Sequence, residues 1–166
     1  MSNINWYALY TMPRAEKKVY SRLEEAGYKV YLPLTTSFRV WSDRKKKITV
    51  PLISSYVFIY LEEEQLKNIF NIQGVCGILK YLNKPAIIKP SEIELLKVLM
   101  NDSENVNVIE DFQFNRGESV SIIRGPFKGL EAKYSEIQGK FRTIVQVEGL
   151  GLGFEINLPK SFIEKK

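Results

Sequence analysis

Apolar positions along the chain change their spacing several times, and each change predicts an element. Trp6-Tyr7-Ala8-Leu9-Tyr10 is a run of aromatic and aliphatic residues that favours a strand ending before Met12-Pro13. From Pro13 the apolar spacing lengthens to four and three, through Ala15, Val19, Leu23 and Ala26, which predicts a helix stopped by Gly27. Residues 28–32 return to strand texture, closed by Pro33. Segments 35–41 and 47–52 read as the arms of a hairpin, with Ser42-Asp43-Arg44-Lys45-Lys46 as its solvated tip. Ser55-Tyr56-Val57-Phe58-Ile59-Tyr60-Leu61 is apolar nearly throughout, so it predicts a central strand covered on both faces. Residues 62–70 predict a short helix whose acidic first turn complements the helix dipole, and Gly74 ends that unit. A strand over 78–82, a turn at Asn83-Lys84-Pro85 and a helix opening at Pro90-Ser91-Glu92 and running through Ile93, Leu96, Lys97 and Met100 follow.

The pattern then breaks. Asn101-Asp102-Ser103-Glu104-Asn105-Val106-Asn107 offers little to bury, which predicts a flexible linker over 102–111 between domains 1–101 and 112–166. Beyond it come short strands at 119–124, 130–137, 143–147 and 153–158, punctuated by Gly125-Pro126, Gly139 and Gly149-Leu150-Gly151. That texture predicts a small all-β barrel, with Phe127, Phe141, Phe154 and Phe162 closing its core.

Composition narrows the chemistry. The 166 residues are 45% hydrophobic and 12% aromatic, enough to build a core, and no apolar run approaches the roughly 18 residues of a membrane span. The first residues carry no export pattern, so the expected compartment is the cytoplasm, with no membrane partner. There is no histidine, which excludes Ser-His-Asp and Cys-His mechanisms. The single cysteine, Cys76, can form neither an internal disulfide nor a thiolate zinc site, and its setting Gly74-Val75-Cys76-Gly77-Ile78 predicts a small buried thiol. Glu24-Glu25 and Glu62-Glu63-Glu64 are adjacent on predicted helices, so their side chains diverge and suit a solvated face better than acid-base catalysis. No catalytic residue, metal site or cofactor is implied; the chain reads as a binding protein and a monomer.

Net charge is +5, and the excess is uneven: 15 basic against 11 acidic residues up to Glu104, then 9 against 8. The tract Arg39-Val40-Trp41-Ser42-Asp43-Arg44-Lys45-Lys46-Lys47 places five cations and one acid around an indole. That combination suits phosphate neutralisation with a stacking surface; a solvated tip whose lysines keep the hairpin edge soluble accounts for it equally. Gly149-Leu150-Gly151-Leu152-Gly153 resembles a phosphate loop, but Phe154-Glu155-Ile156 reads as strand where that chemistry needs a helix. The glycines instead predict a tight turn that exposes Leu150 and Leu152 as a partner surface.

The most specific signal is Arg116-Gly117-Glu118-Ser119-Val120-Ser121-Ile122-Ile123-Arg124-Gly125-Pro126-Phe127-Lys128-Gly129-Leu130-Glu131-Ala132, which resembles the KOW motif, the β-barrel module of the NusG family. The earlier segments agree in order. Trp6-Tyr7-Ala8-Leu9-Tyr10, Glu16-Lys17-Lys18-Val19, the strand from Pro51 to Phe58, Gly74-Val75 and Lys84-Pro85-Ala86-Ile87 resemble the N-terminal (NGN) domain of the same family. The resemblance implies an α+β protein: an NGN sandwich of antiparallel sheet flanked by helices, linked to an SH3-like KOW barrel. Short length, the basic hairpin and Ser54-Ser55, where general factors usually carry Pro-Gly, are similar to the specialised RfaH-like and UpxY-like antiterminators.

By this resemblance the chain is expected to suppress pausing or termination on a dedicated long operon, such as one for polysaccharide synthesis, without making or breaking a bond. The first domain would dock on the clamp helices of RNA polymerase through Tyr10, Ile53, Tyr56 and Ile78. Arg39, Arg44, Lys45, Lys46 and Lys47 would face upstream DNA, and Arg14 the non-template strand. Gln65-Leu66-Lys67-Asn68 and Gln73 depart from the residues with which specialised paralogues read that strand. The barrel would recruit a small-subunit ribosomal protein through Leu150 and Leu152; a leucine where the general factor is often basic disfavours the termination factor Rho. A ribosome- or RNA-binding KOW protein acting in translation is the alternative.

Overall fold

The computed structural model describes residues 3–109, 116–137 and 139–166. The chain runs β1 (Ile4–Thr11), α1 (Glu16–Glu25), β2 (Lys29–Tyr31), β3 (Leu34–Val40), β4 (Lys45–Pro51), β5 (Tyr56–Glu62) and α2 (Leu66–Ile69). It continues through β6 (Val75–Ile78), β7 (Lys80–Tyr81), β8 (Lys84–Pro85), α3 (Pro90–Leu99) and β9 (Val106–Ile109). The remaining strands are β10 (Glu118–Ile122), β11 (Glu131–Ile137), β12 (Lys140–Val147), β13 (Leu152–Ile156) and β14 (Ile163–Lys165). Two units result, Met1–Pro33 with Ile53–Ile93, and Leu34–Leu52 with Glu94–Lys166, so α3 spans the boundary.

The first unit is organised by a four-stranded antiparallel sheet in the order β2-β5-β1-β6. Because side chains alternate across a strand, the sheet has two distinct faces. Tyr7, Leu9, Val57, Ile59, Leu61 and Ile78 share one face and pack with Val19 and Leu23 of α1 and Leu66 and Ile69 of α2. The other face is a row of cross-strand pairs: Trp6 opposite Tyr60, Ala8 opposite Phe58, and Tyr10 opposite Tyr56. Trp6 and Tyr60 rings lie 5.2 Å apart, and Lys29 holds its ammonium 5.6 Å and 4.9 Å from the two centroids. Such pairs add about 0.5–1.5 kcal/mol beyond the area they bury. The expected central strand is borne out as β5, whose Val57, Phe58 and Ile59 are all buried.

The second unit contains a six-stranded antiparallel sheet, β14-β10-β11-β12-β13-β9, and the β3–β4 ribbon. Val120, Ile122, Phe127, Ile144, Val145, Val147, Phe154 and Ile156 are buried in it. The hairpin is rooted within the same unit: the Thr35 hydroxyl donates to the Ser103 carbonyl at 3.2 Å, and Lys47 Nζ lies 3.7 Å from Glu104 Oε1.

Several expectations change. Of the predicted linker, residues 102–105 lie in a 3₁₀ turn and Val106–Ile109 form β9, paired with β13; residues 110 and 111 fall outside the described residues. Val106 and Val108 alternate with Asn107, a strand signal that the surrounding polar residues hide, and Val106 is buried. The strand predicted over 78–82 is divided at Leu79, where the chain passes from β6, paired with β1, to β7, paired with β8; Leu82 and Asn83 both take positive φ in the turn between β7 and β8. Phe141 does not close the barrel: it is 62% exposed and stacks on Tyr134 at 5.2 Å. It shares a face with buried Thr143 and Val145 but sits at the hairpin end of β12, past the filled core. Cys76 is exposed rather than buried, since the register shifts beside it: Gly77 pairs with Tyr10 and Val75 with Thr11, which leaves Cys76 as the extra, unpaired residue of a bulge and off the core-facing alternation that holds Ile78.

Candidate functional site

The aromatic face of the first sheet changes character along its length. Phe58 is fully buried, whereas Tyr10 and Tyr56, two residues further along the ladder, are half-buried. Their rings lie 5.0 Å apart, and the Tyr56 hydroxyl donates to the Tyr10 hydroxyl at 3.3 Å. Burial, with the hydrogen bond to Tyr10 adding to it, pushes the Tyr56 phenol above the usual tyrosine value of 10.0. Tyr56 is therefore neutral and a donor at physiological pH. Tyr10 stands opposite Gly77 of β6, where a Cβ would meet the Tyr10 ring at 3.7 Å, an ordinary contact.

The turn that enters β5 is held from both sides. The Ser55 N–H donates to Glu16 Oε1 at 2.8 Å, and the Thr11 N–H donates to the Ser55 carbonyl at 3.0 Å. Ser55 has φ +64°, in the left-handed region that costs a non-glycine residue about 1–2 kcal/mol. Next door, the Met12 N–H donates to the Gly74 carbonyl at 2.9 Å. Gly74 itself has φ +99°, and a Cβ there would meet Val19 Cγ2 at 2.7 Å. Together these bonds fix the edge on which the tyrosines sit.

Of the residues expected to form one docking patch, the structure brings together Tyr10 and Tyr56. Ile78 stands opposite Leu9, one residue out of step with the tyrosines, so it faces the helix-side core. Ile53 is also buried. Glu16, Ser55 and Gly77 belong to the site and carry no individual sequence signal; Ser55 stands out only within the dipeptide Ser54-Ser55. Arg14 is exposed in the same unit, with φ +63°. Gln65, Lys67, Asn68 and Gln73 are exposed too, whereas Leu66 is core.

The hairpin carries the charge. Trp41 and Arg44 exchange backbone hydrogen bonds of 2.7 Å and 3.3 Å, which closes a tighter tip than expected, at Ser42-Asp43. Arg39 stands opposite Lys46 on one face, while Phe38 opposite Lys47 and Val40 opposite Lys45 share the other. Phe38 and Val40 are 60% and 74% exposed, and Arg44 and Lys46 lie 5.7 Å and 5.3 Å from the Trp41 ring. Five cations and three exposed apolar side chains thus share a two-stranded ribbon.

On the six-stranded sheet the glycine turn behaves differently from expectation. Glu148–Leu150 make a 3₁₀ turn capped by left-handed Gly151, which rolls Leu150 inward to 6% exposure and leaves Leu152 half-buried. Among the described residues no cluster of three or more metal-ligating carboxylates or thiols occurs, and no helix is long and apolar enough to cross a membrane.

An antiparallel sheet layered with helices, followed by an all-β module, with an aromatic corner on the first and a basic ribbon in the same unit as the second, defines an α+β protein. A family model described as transcription termination factor nusG matches residues 4–97, and the chain belongs to the NusG family. The transcription termination/antitermination protein NusG of Halalkalibacterium halodurans is 26% identical over 97% of this chain and 98% of its own. Those of Staphylococcus carnosus and Bacillus subtilis are 27% and 25% identical, over 96% and 97% of this chain and 94% and 98% of their own. A solved structure titled for domain interaction in Thermotoga maritima NusG shares the fold, with a TM-score of 0.58 at 23% identity over 98% of this chain and 97% of its own.

Proposed function

We propose that this protein is a NusG-type elongation and antitermination factor that docks on the clamp helices of RNA polymerase and suppresses pausing or termination. The observation that carries the reading is the Tyr10–Tyr56 pair, in a chain of this family: two hydrogen-bonded phenols stand half-open at one end of the aromatic face, next to fully buried Phe58. Rigid amphipathic rings of this kind dominate protein interfaces, because they bury large area at little entropic cost. Ile53 and Ile78, the other two residues of the proposed docking patch, are buried in the free protein. The basic hairpin, through Arg39, Arg44, Lys45, Lys46 and Lys47, contacts upstream DNA by its phosphates, and Arg14 reaches toward the non-template strand.

The C-terminal β module, residues 112–166 in the proposed division, recruits a small-subunit ribosomal protein, with Leu152 as the accessible contact and Leu150 shaping its turn from beneath. Ser54-Ser55 and the basic hairpin favour a specialised factor serving a dedicated long operon, such as one for polysaccharide synthesis, in the cytoplasm. The chemistry is binding alone, with no catalytic residue.

The test is co-elution with purified core RNA polymerase at about 0.15 M salt, where loose charge attraction is screened. Wild type is expected to be retained. Folded Tyr56→Ala is expected to lose about 2 kcal/mol of binding, roughly 30-fold in affinity. Failure of wild type to bind either free polymerase or an assembled elongation complex overturns the proposal and makes ribosomal RNA the next target.

A further inference from the structure

The turn before β5 contains two features that are costly alone and make sense together. Glu16 is only 6% exposed, although a carboxylate belongs in water, and Ser55 occupies a backbone conformation that suits glycine. They meet in one hydrogen bond, Ser55 N–H to Glu16 Oε1 at 2.8 Å. The next residue is Tyr56, whose hydroxyl reaches Tyr10.

We propose that Glu16 is the positioning residue of the docking corner: its carboxylate holds Ser55 in the left-handed conformation and so sets the Tyr56 ring against Tyr10. For its functional consequence this rests on the polymerase-docking reading above. A charged acceptor makes a stronger hydrogen bond to a backbone N–H than a neutral one. Its place in the first turn of α1 adds the favourable field of the helix N-terminus. Ser55 is thus clamped from two elements, by Glu16 of α1 and by the Thr11 N–H of β1. Without the carboxylate, serine relaxes toward negative φ, and a rotation immediately before β5 redirects Tyr56. A glycine at 55 would need no such clamp, because its two φ signs are nearly equivalent.

The test uses Glu16→Ala, Glu16→Gln and the double variant Glu16→Ala with Ser55→Gly, each read two ways. Titration of the Tyr56 ring carbon by NMR in the free protein reports whether Tyr56 still sits on Tyr10; affinity for core RNA polymerase reports the consequence. Glu16→Ala is expected to return the Tyr56 titration toward that of an ordinary tyrosine and to weaken polymerase binding at least tenfold. Glu16→Gln keeps a carbonyl acceptor and should restore most of both. The double variant should restore both without any acceptor, an outcome that general loss of stability does not produce. An unchanged Tyr56 titration in Glu16→Ala, or a double variant no better than the single one, overturns the proposal. If wild type itself does not bind polymerase, the docking reading fails while the tyrosine titration still decides the role of Glu16.

Discussion

The tyrosine corner and the basic hairpin are both made of paired antiparallel strands bearing aromatic residues, yet they are built to opposite specifications. Tyr10 and Tyr56 stand on the two central strands of a four-stranded sheet, and the adjoining backbone is tied by the Ser55–Glu16, Thr11–Ser55 and Met12–Gly74 hydrogen bonds. Phe38, Val40 and Trp41 stand on a two-stranded ribbon whose tip is wholly exposed and whose polar ties, to Ser103 and Glu104, lie at Thr35 and Lys47. A surface that must fit a shaped protein partner needs its rings fixed in advance, because disorder is lost on binding and weakens it. A surface that follows phosphates needs charge and reach, and fixed geometry adds little. In the proposed reading, the same strand motif serves shape recognition when backed by a core and electrostatic contact when it is not.

The largest effect expected on this contrast is at Phe58, fully buried next to the corner on the same face of the sheet. Phe58→Ala should cost about 3–5 kcal/mol in chemical denaturation, by loss of burial and by the cavity left behind. Gly74→Ala should come next, at about 2–4 kcal/mol, because positive φ and the Val19 methyl at 2.7 Å both resist a Cβ. A melt that either variant leaves unmoved would mean the corner is not braced as described. The combined Arg44→Ala, Lys45→Ala and Lys46→Ala variant should change stability by no more than about 0.5 kcal/mol. It should also lower the slope of log affinity for duplex DNA against log salt by about 0.9 for each phosphate that is no longer neutralised. A large fall in melting temperature would show the hairpin to be structural after all.

The smallest effect is in alkaline solution. The raised Tyr56 value means that the folded state keeps a proton which the unfolded chain releases near pH 10. Its contribution to stability is therefore complete below that pH and declines as pH rises from there toward the folded value. Melting temperature followed above about pH 10 should fall less steeply for Tyr56→Phe than for wild type.

Apart from β8, β9 and β14, the strands of both units were legible in the sequence, as were the helix faces of α1 and α3, because period and punctuation agreed there. Val19 and Leu23 pack where their spacing placed them, and Gly27 stops α1 at φ +92°. What escaped depended on tertiary partners. Val106-Asn107-Val108 is too short a strand signal to stand out among asparagines, and becomes one only because β13 offers an edge. Leu150 reads as exposed because its neighbours are glycines, while a 3₁₀ turn carries it inside. At the candidate site the aromatic pair was legible and its support was not. Nothing local marks Glu16 as the acceptor for a backbone N–H that lies 39 residues away.

The pairing of β9 with β13 bears on how the sheet avoids pairing with other chains. An outer strand presents a ladder of unpaired N–H and C=O groups to any passing chain, and β13, with Phe154 and Ile156, would be an adhesive one. Four residues of β9 close that ladder, with asparagine and partly covered side chains facing outward. At the opposite end, β14 bears Lys165 3.2 Å from Glu118, so charge guards the second margin. A fragment trimmed to begin at residue 112 would keep the barrel sequence and lose its cover, and its failure mode would be self-association along β13.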